Sequence, residues 1–276
     1  MSKILYLNRI KKEKSFQKKG NKNMTEILQA TLIPFIGTAL GSACVFFMVG
    51  GLSETLKRLL SAFAAGIMTA ASVWSLLIPA IEQAEERGSF YIAMPPMGLL
   101  TGILVFIAID RVIEVIKKKN GNSGNKSSML VLAVVIHNIP EGMAAGAVYA
   151  AILTGSTEVS ATAALALVTG ISIQNFPEGA IISLPLRAKG KTKVNAFFQG
   201  IISGVAEALG ALLTLAAANL IVPVLPFLLS FAAGAMLYVV VRELVPEFPG
   251  EKYYDLCTAV FAGGFIVMMV LDTLLG

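Results

Sequence analysis

Two six-residue segments bring together the residue types that could do chemistry. His137-Asn138-Ile139-Pro140-Glu141-Gly142 and Gln174-Asn175-Phe176-Pro177-Glu178-Gly179 share the pattern [HQ]-N-x-P-E-G, repeated 37 residues apart. His137 and Glu141 stand four residues apart, as do Gln174 and Glu178, so on a helix each pair shares one face. Two such faces turned toward each other converge one imidazole, three amides and two carboxylates on a small volume. Pro140 and Pro177 cannot donate to the carbonyls of Ile136 and Ile173, which predicts a kink and a bare backbone oxygen beside each polar turn. Gly142 and Gly179 remove side-chain bulk next to each glutamate. A third carboxylate, Glu207, lies in Gly204-Val205-Ala206-Glu207-Ala208, with Ser203 one turn back.

The pattern reads as a cation site in the middle of a pathway. Three carboxylates against two divalent ions leave a local charge of about +1, whereas three unpaired carboxylates in hydrocarbon would mostly protonate. Imidazole nitrogen with carboxylate and amide oxygen suits zinc, iron(II), manganese or cadmium better than calcium, which prefers an all-oxygen cage. Plainer readings stand beside this one. Glu207 alone reads also as a protonated packing glutamate, and Asn138 and Asn175 as groups that recapture backbone atoms freed by the prolines. Met68, in Ala64-Ala65-Gly66-Ile67-Met68-Thr69, is core filling on composition alone.

The elements that must position these residues are membrane helices. Of 276 residues, 56% are hydrophobic and only 14% charged, with mean hydropathy +0.76; a soluble domain carries about 25% charged residues, so soluble enzymes, disordered chains and nucleic-acid-binding modules are excluded. Windows of about 20 apolar residues occur eight times, at 26–50, 59–81, 94–116, 129–153, 159–184, 194–220, 222–241 and 256–275. Continuous apolar runs exclude a transmembrane barrel, and a bilayer gives unpaired backbone no water, so the expected fold is all-α: an eight-helix bundle in which kinked spans four and five line the ion path. Ionisable residues deep in spans cost at least ~2.5–3.5 kcal/mol each, which makes the clustering of His137, Glu141, Glu178 and Glu207 informative.

The chain reads as one transmembrane domain, 24–276, preceded by a basic tail, 1–23, that is disordered or upstream of the native start at Met24. A flexible Gly/Asn/Ser/Lys loop is expected at 117–128. Gly-x-x-x-Gly pairs at Gly37/Gly41, Gly142/Gly146 and Gly200/Gly204 predict close helix packing. Cys44 and Cys257 sit in apolar stretches and read as small fillers. Arg242, Glu243, Asp272, Asp110 and Arg111 read as interfacial or paired charges. Alternate loops hold thirteen Lys and Arg, while the loops of the opposite side hold one, Arg87. The positive-inside rule then places both termini outside a cytoplasmic membrane, against the opposing charge of the tail.

These motifs resemble the ZIP (Zrt/Irt-like) family of metal transporters, in particular its bacterial and GufA-like members. The resemblance covers nearly the whole chain from Met24 and rests on HNIPEG, QNFPEG, FAAGIMTAASVWSLLIPAIE in span two and SFAAGAMLYVVVRELVPE in span seven. It implies eight spans, extracytoplasmic termini, a dimer, alternating access and a two-metal site in the transport path. Carried over residue by residue, His137, Glu141, Gln174 and Glu178 match the first site, with Met68 as a thioether ligand; the ligand and core readings of Met68 both stand open. Asn138, Asn175 and Glu207 with the shared Glu141 and Glu178 match the second. The chain departs from many relatives in having Gln174 where they have His, and in a three–four loop without histidine, since His137 is the single histidine.

The expected function is secondary transport that imports divalent transition-metal ions, zinc first, then iron, manganese and cadmium. The expected partners are the ion, the lipid bilayer and a second copy of the chain, without nucleic acid, and no resident cofactor is expected. No Walker A segment is present, so ion gradients would drive the movement. A channel-like or magnesium-selective transporter is the alternative, although magnesium's preference for oxygen ligands leaves His137 without a role. An intramembrane metalloenzyme is a remote one, because one histidine cannot build an H-E-x-x-H or three-histidine zinc site; the chain reads as a non-enzyme.

Overall fold

A computed structural model of the chain describes residues 2–47, 53–119, 126–155, 159–248 and 253–275; side chains are described from Asn23 onward, those of 116–119, 126–134 and His137 excepted. The described residues form helices and no strand. In chain order these are α1 (Ser2–Phe47), α2 (Glu54–Ala71), α3 (Ile78–Arg87), α4 (Met94–Lys119), α5 (Lys126–Thr154), α6 (Ala161–Ala188), α7 (Lys193–Ala216), α8 (Ala218–Ile221), α9 (Leu225–Val239) and α10 (Tyr254–Leu275). Helix starts follow capping chemistry: Ser53, Ser160 and Thr192 accept from the backbone N–H groups of Leu56, Ala163 and Asn195 and cap α2, α6 and α7. Gly155 and Gly190 take positive φ just past α5 and α6, where a side chain would be strained.

Seven helical segments among the described residues are long and apolar enough to cross a membrane: Asn23–Phe47, Glu54–Arg87, Tyr91–Val115, Ala161–Ala188, Lys193–Ala216, Ala218–Glu247 and Tyr254–Leu275. The remaining expected span, 129–153, falls on α5, a 29-residue helix whose first side chains lie outside the described residues. Spans two and seven run longer than hydropathy predicts. Polar residues such as Glu82 and Glu85 continue the helix on its exposed side, so capping rather than composition sets the end. Both of these spans contain a π turn, Ser72–Leu77 after α2 and Val240–Leu244 after α9, each followed by a proline, Pro79 or Pro246. Each π turn begins nine residues after the phenylalanine of a Phe-Ala-Ala-Gly segment, Phe63 or Phe231. Of the expected flexible loop, 117–119 and 126–128 belong to α4 and α5, and 120–125 lie outside the described residues.

The helices pack in two groups. In one, α6 lies along α1, and α7 lies against both α5 and α1; in the other, α4 packs on α9 and α10 on α2. Glycines make these contacts close. A Cβ on Gly37 or Gly41 would run into the carbonyls of Ser172 or Phe176 on α6, and one on Gly200 into the Ser42 hydroxyl of α1. In the second group Gly66 meets the Phe261 carbonyl, and Gly234 meets that of Leu99. The groups join where α2 meets α6 and α5 meets α9, around a core of Ile67, Leu76, Leu167, Ile171, Leu229 and Met236. Leu100, Leu104, Leu213, Leu220 and Leu274 point outward, as expected of surface facing hydrocarbon.

Candidate metal centre

Both [HQ]-N-x-P-E-G segments lie inside continuous helices, with Pro140 in α5 and Pro177 in α6. The glycine closing the first segment brings the third carboxylate to it. Gly142 lies so close to α7 that a Cβ there would overlap the Glu207 carbonyl, and Gly146 meets the Ala211 carbonyl one turn on. Gly179 does the same for α1, fitting against the Thr38 carbonyl and Ser42. The Ser42 hydroxyl donates to the Gly179 carbonyl at 3.5 Å. The motif glycines are therefore seats for the helices that complete the site.

Asn138, Glu141, Gln174, Asn175 and Glu207 are each at most 1% exposed. Two amide–carboxylate contacts join four of them in pairs. Gln174 Nε2 donates to Glu141 Oε1 at 2.8 Å, linking α6 to α5. The neighbouring Asn175 Nδ2 donates to Glu207 Oε2 at 2.7 Å, linking α6 to α7, and also reaches the Pro34 carbonyl of α1 at 3.5 Å. Glu141 stands in the electrostatic field of Glu178 and Glu207, and Glu207 in that of Glu178. Glu178 itself is partly buried.

Gln174 and Asn175 each spend an N–H on a carboxylate, which leaves their own oxygens without a donor, while Asn138 has neither of its side-chain polar atoms paired among the described residues. Among the described residues Glu141 Oε2, Gln174 Oε1, Asn175 Oδ1, Glu207 Oε1 and Asn138 Oδ1 are buried without a hydrogen-bond donor. Buried acceptors, two of them on carboxylates, cost several kcal/mol unless a positive group compensates them. Carboxylate plus amide oxygen is a hard donor set suited to a divalent cation. No three His, Cys, Asp or Glu side chains among the described residues form a cage by themselves. His137 sits on α5 one turn before Glu141; its side chain lies outside the described residues.

Met68 is 5% exposed and packs in the apolar core with Ile67, Ala71 and Val148. Of the charges read as interfacial or paired, Arg242 reaches Asp110 at 3.5 Å and Glu114 at 3.1 Å, and Ser75 donates to both Asp272 oxygens at 2.9 Å. Cys44 and Cys257 are free thiols. Sequence reasoning missed the part of α1. Its Pro34 carbonyl and the Thr38–Ser42 ridge complete the wall of the site, and the available signal was a proline one turn before a Gly-x-x-x-Gly pair in the first span.

The family profile described as ZIP zinc transporter matches residues 121–272, which include both motif helices and α7. The chain belongs to the ZIP zinc transporter family. Among ZIP relatives it is 35% identical to zinc transporter ZIP11 of Xenopus tropicalis over 93% of this chain and 99% of the relative. It is 34% identical to zinc transporter ZIPB of Bordetella bronchiseptica, over 88% of this chain and 79% of the relative. It is 33% identical to zinc transporter GufA of Myxococcus xanthus, over 74% and 81% respectively. Membership makes this ZIP chain a multi-pass membrane protein of a transporter family rather than an enzyme. Its buried donor set fits what a metal-ion carrier needs: oxygens held ready by amides that are themselves anchored.

Proposed function

We propose that the protein imports divalent transition-metal ions into the cytoplasm across the cell membrane, zinc first and then iron(II), manganese and cadmium, through two adjacent ion positions. His137, Glu141, Gln174 and Glu178, with the Met68 thioether, hold the first ion. Asn138, Asn175 and Glu207 hold the second, sharing Glu141 and Glu178. The observation that carries this reading is the set of five buried oxygens without donors at the junction of α5, α6 and α7. Zinc comes first because the ZIP11, ZIPB and GufA relatives bear that name.

The ion enters from the side of the termini, exchanges waters for carboxylate and amide oxygens, and leaves between the Lys- and Arg-bearing loops. Release follows movement of one helix group against the other. The chain lies in a lipid bilayer, with both termini outside and a second copy as partner. Replacing Glu141 by Gln removes one charge and keeps the shape. Zinc uptake into proteoliposomes then collapses to the protein-free level, and undiminished uptake would reject the site. Full transport by a His137→Ala variant would favour magnesium-type selectivity instead.

A further inference from the structure

A second polar group is buried between α1 and α5, two turns from the oxygen cluster. Glu26 is 6% exposed although it belongs to the apolar segment Asn23–Phe47, and Tyr149 of α5 is 1% exposed. Tyr149 Oη donates to Gln29 Oε1 at 3.3 Å and stands in the electrostatic field of Glu26. Glu26 and Gln29, three residues apart, share one face of α1. Glu26 stands in the first turn of the segment Asn23–Phe47, where a carboxylate meets less of the insertion cost that falls on charges at mid-span.

The placement relative to the oxygen cluster is regular on both helices. Positions 26, 30 and 34 of α1 follow one another at a spacing of four, as do 141, 145 and 149 of α5. Pro34 contacts Asn175, and Glu141 is part of the cluster. Eight helical residues rise about 12 Å, so Glu26 and Tyr149 stand at a similar height above it, on the side of the α1 N-terminus. The intervening positions are Ala30 and Ala145, both buried and without a polar side-chain atom. On these two helix faces the alanines Ala30 and Ala145 separate the two polar groups.

We propose that Glu26, Gln29 and Tyr149 form a staging site that receives a hydrated divalent cation before it reaches the inner oxygen cluster. Carboxylate, amide and phenol oxygens suit an ion that keeps most of its waters. A single carboxylate holds such an ion loosely, whereas the three inner ones draw it onward past Ala30 and Ala145. The inference rests on the import reading above. It adds a recruiting role for α1, so loss of Glu26 weakens capture without touching the inner ligands.

The test is the zinc-concentration dependence of uptake into proteoliposomes for wild type, Glu26→Gln, Tyr149→Phe, Gln29→Glu and, as a control, Glu141→Gln. Glu26→Gln is expected to raise KM about tenfold with Vmax within about twofold, the signature of lost capture. Tyr149→Phe raises KM about threefold in the same way, and Gln29→Glu, which adds a carboxylate at a partly exposed position, lowers it. Size-exclusion profiles and melting curves establish that each variant is folded. Unchanged KM in all three, or a fall in Vmax at constant KM, overturns the staging site and leaves a tether between α1 and α5. If the wild type moves no zinc, the import reading itself fails and the staging site with it; if only Glu141→Gln is inactive while the other variants match wild type, the staging site alone fails.

Discussion

Glu141 and Glu207 each have one oxygen tied to an amide and one without a donor among the described residues. This division lets one side chain be both fixed and available: the hydrogen bond holds one oxygen, and the second is left for the ion we propose. Asn175 does the same from the opposite side, anchored through Nδ2 and presenting Oδ1. Glu207→Gln keeps the volume but removes a charge and turns half of the group into a donor. Zinc affinity of the purified protein should fall by about tenfold or more, equivalent to about 1.4 kcal/mol, in a calorimetric titration. Asn175→Leu should lower the affinity at least as far, because it removes the Asn175 oxygen and leaves Glu207 without its anchor while still buried. An affinity equal to wild type in both variants would count against Glu207 as a ligand.

At the scale of elements, α6 is the plank on which the site is assembled. It carries Gln174, Asn175 and Glu178, and α1, α5 and α7 all lie against it. Glycine determines how closely they lie. A methyl group on Gly142 would overlap the Glu207 carbonyl, so Gly142→Ala must push α7 away from α5 and carry Glu207 with it. Overpacking of this kind costs about 1–3 kcal/mol, and the variant should melt at a lower temperature and lose zinc uptake together. Gly263→Ala in α10 is the matched control: nothing stands within 4 Å of the added carbon. Because alanine is the better helix former, by about 0.8–1 kcal/mol, that variant should be as stable as wild type or more so. Equal effects of the two substitutions would show that the α5–α7 contact is not what holds Glu207 in place.

For the whole molecule, the division into two helix groups puts all the motif residues in one of them. The oxygen cluster belongs to α5, α6 and α7 with a wall from α1, while α2, α4, α9 and α10 contribute core packing. An ion that satisfies the buried oxygens ties three helices together, so zinc should stabilise the folded protein by about 2.7 kcal/mol at a hundredfold excess over its Kd. Thermal unfolding in detergent with and without zinc measures this, and the shift should vanish in Glu141→Gln. In the proposed orientation, position 123 of the Lys-bearing loop is cytoplasmic. A Ser123→Cys variant should therefore resist an impermeant thiol reagent applied to intact cells and react once the membrane is opened; labelling from outside would invert the topology.

The amino-acid sequence by itself determined the class of the protein and the identity of its polar centre. Low charge and long apolar runs demand membrane helices, and a duplicated [HQ]-N-x-P-E-G in consecutive spans marks polar residues that composition cannot explain. Periodicity also sufficed to put His137 with Glu141, and Gln174 with Glu178, on shared faces, because spacing within one helix is a local property. Which residues meet across helices is not local. That Gln174 pairs with Glu141 and Asn175 with Glu207, that Gly142 seats Glu207, and that Pro34 of α1 closes the wall were decided by tertiary packing. The length of spans two and seven belongs here as well, since hydropathy sees neither caps nor π turns. The physical reason is the same in each case: apolar composition says that a helix is buried in lipid or protein, and only the fit of glycine against a particular carbonyl says beside which neighbour.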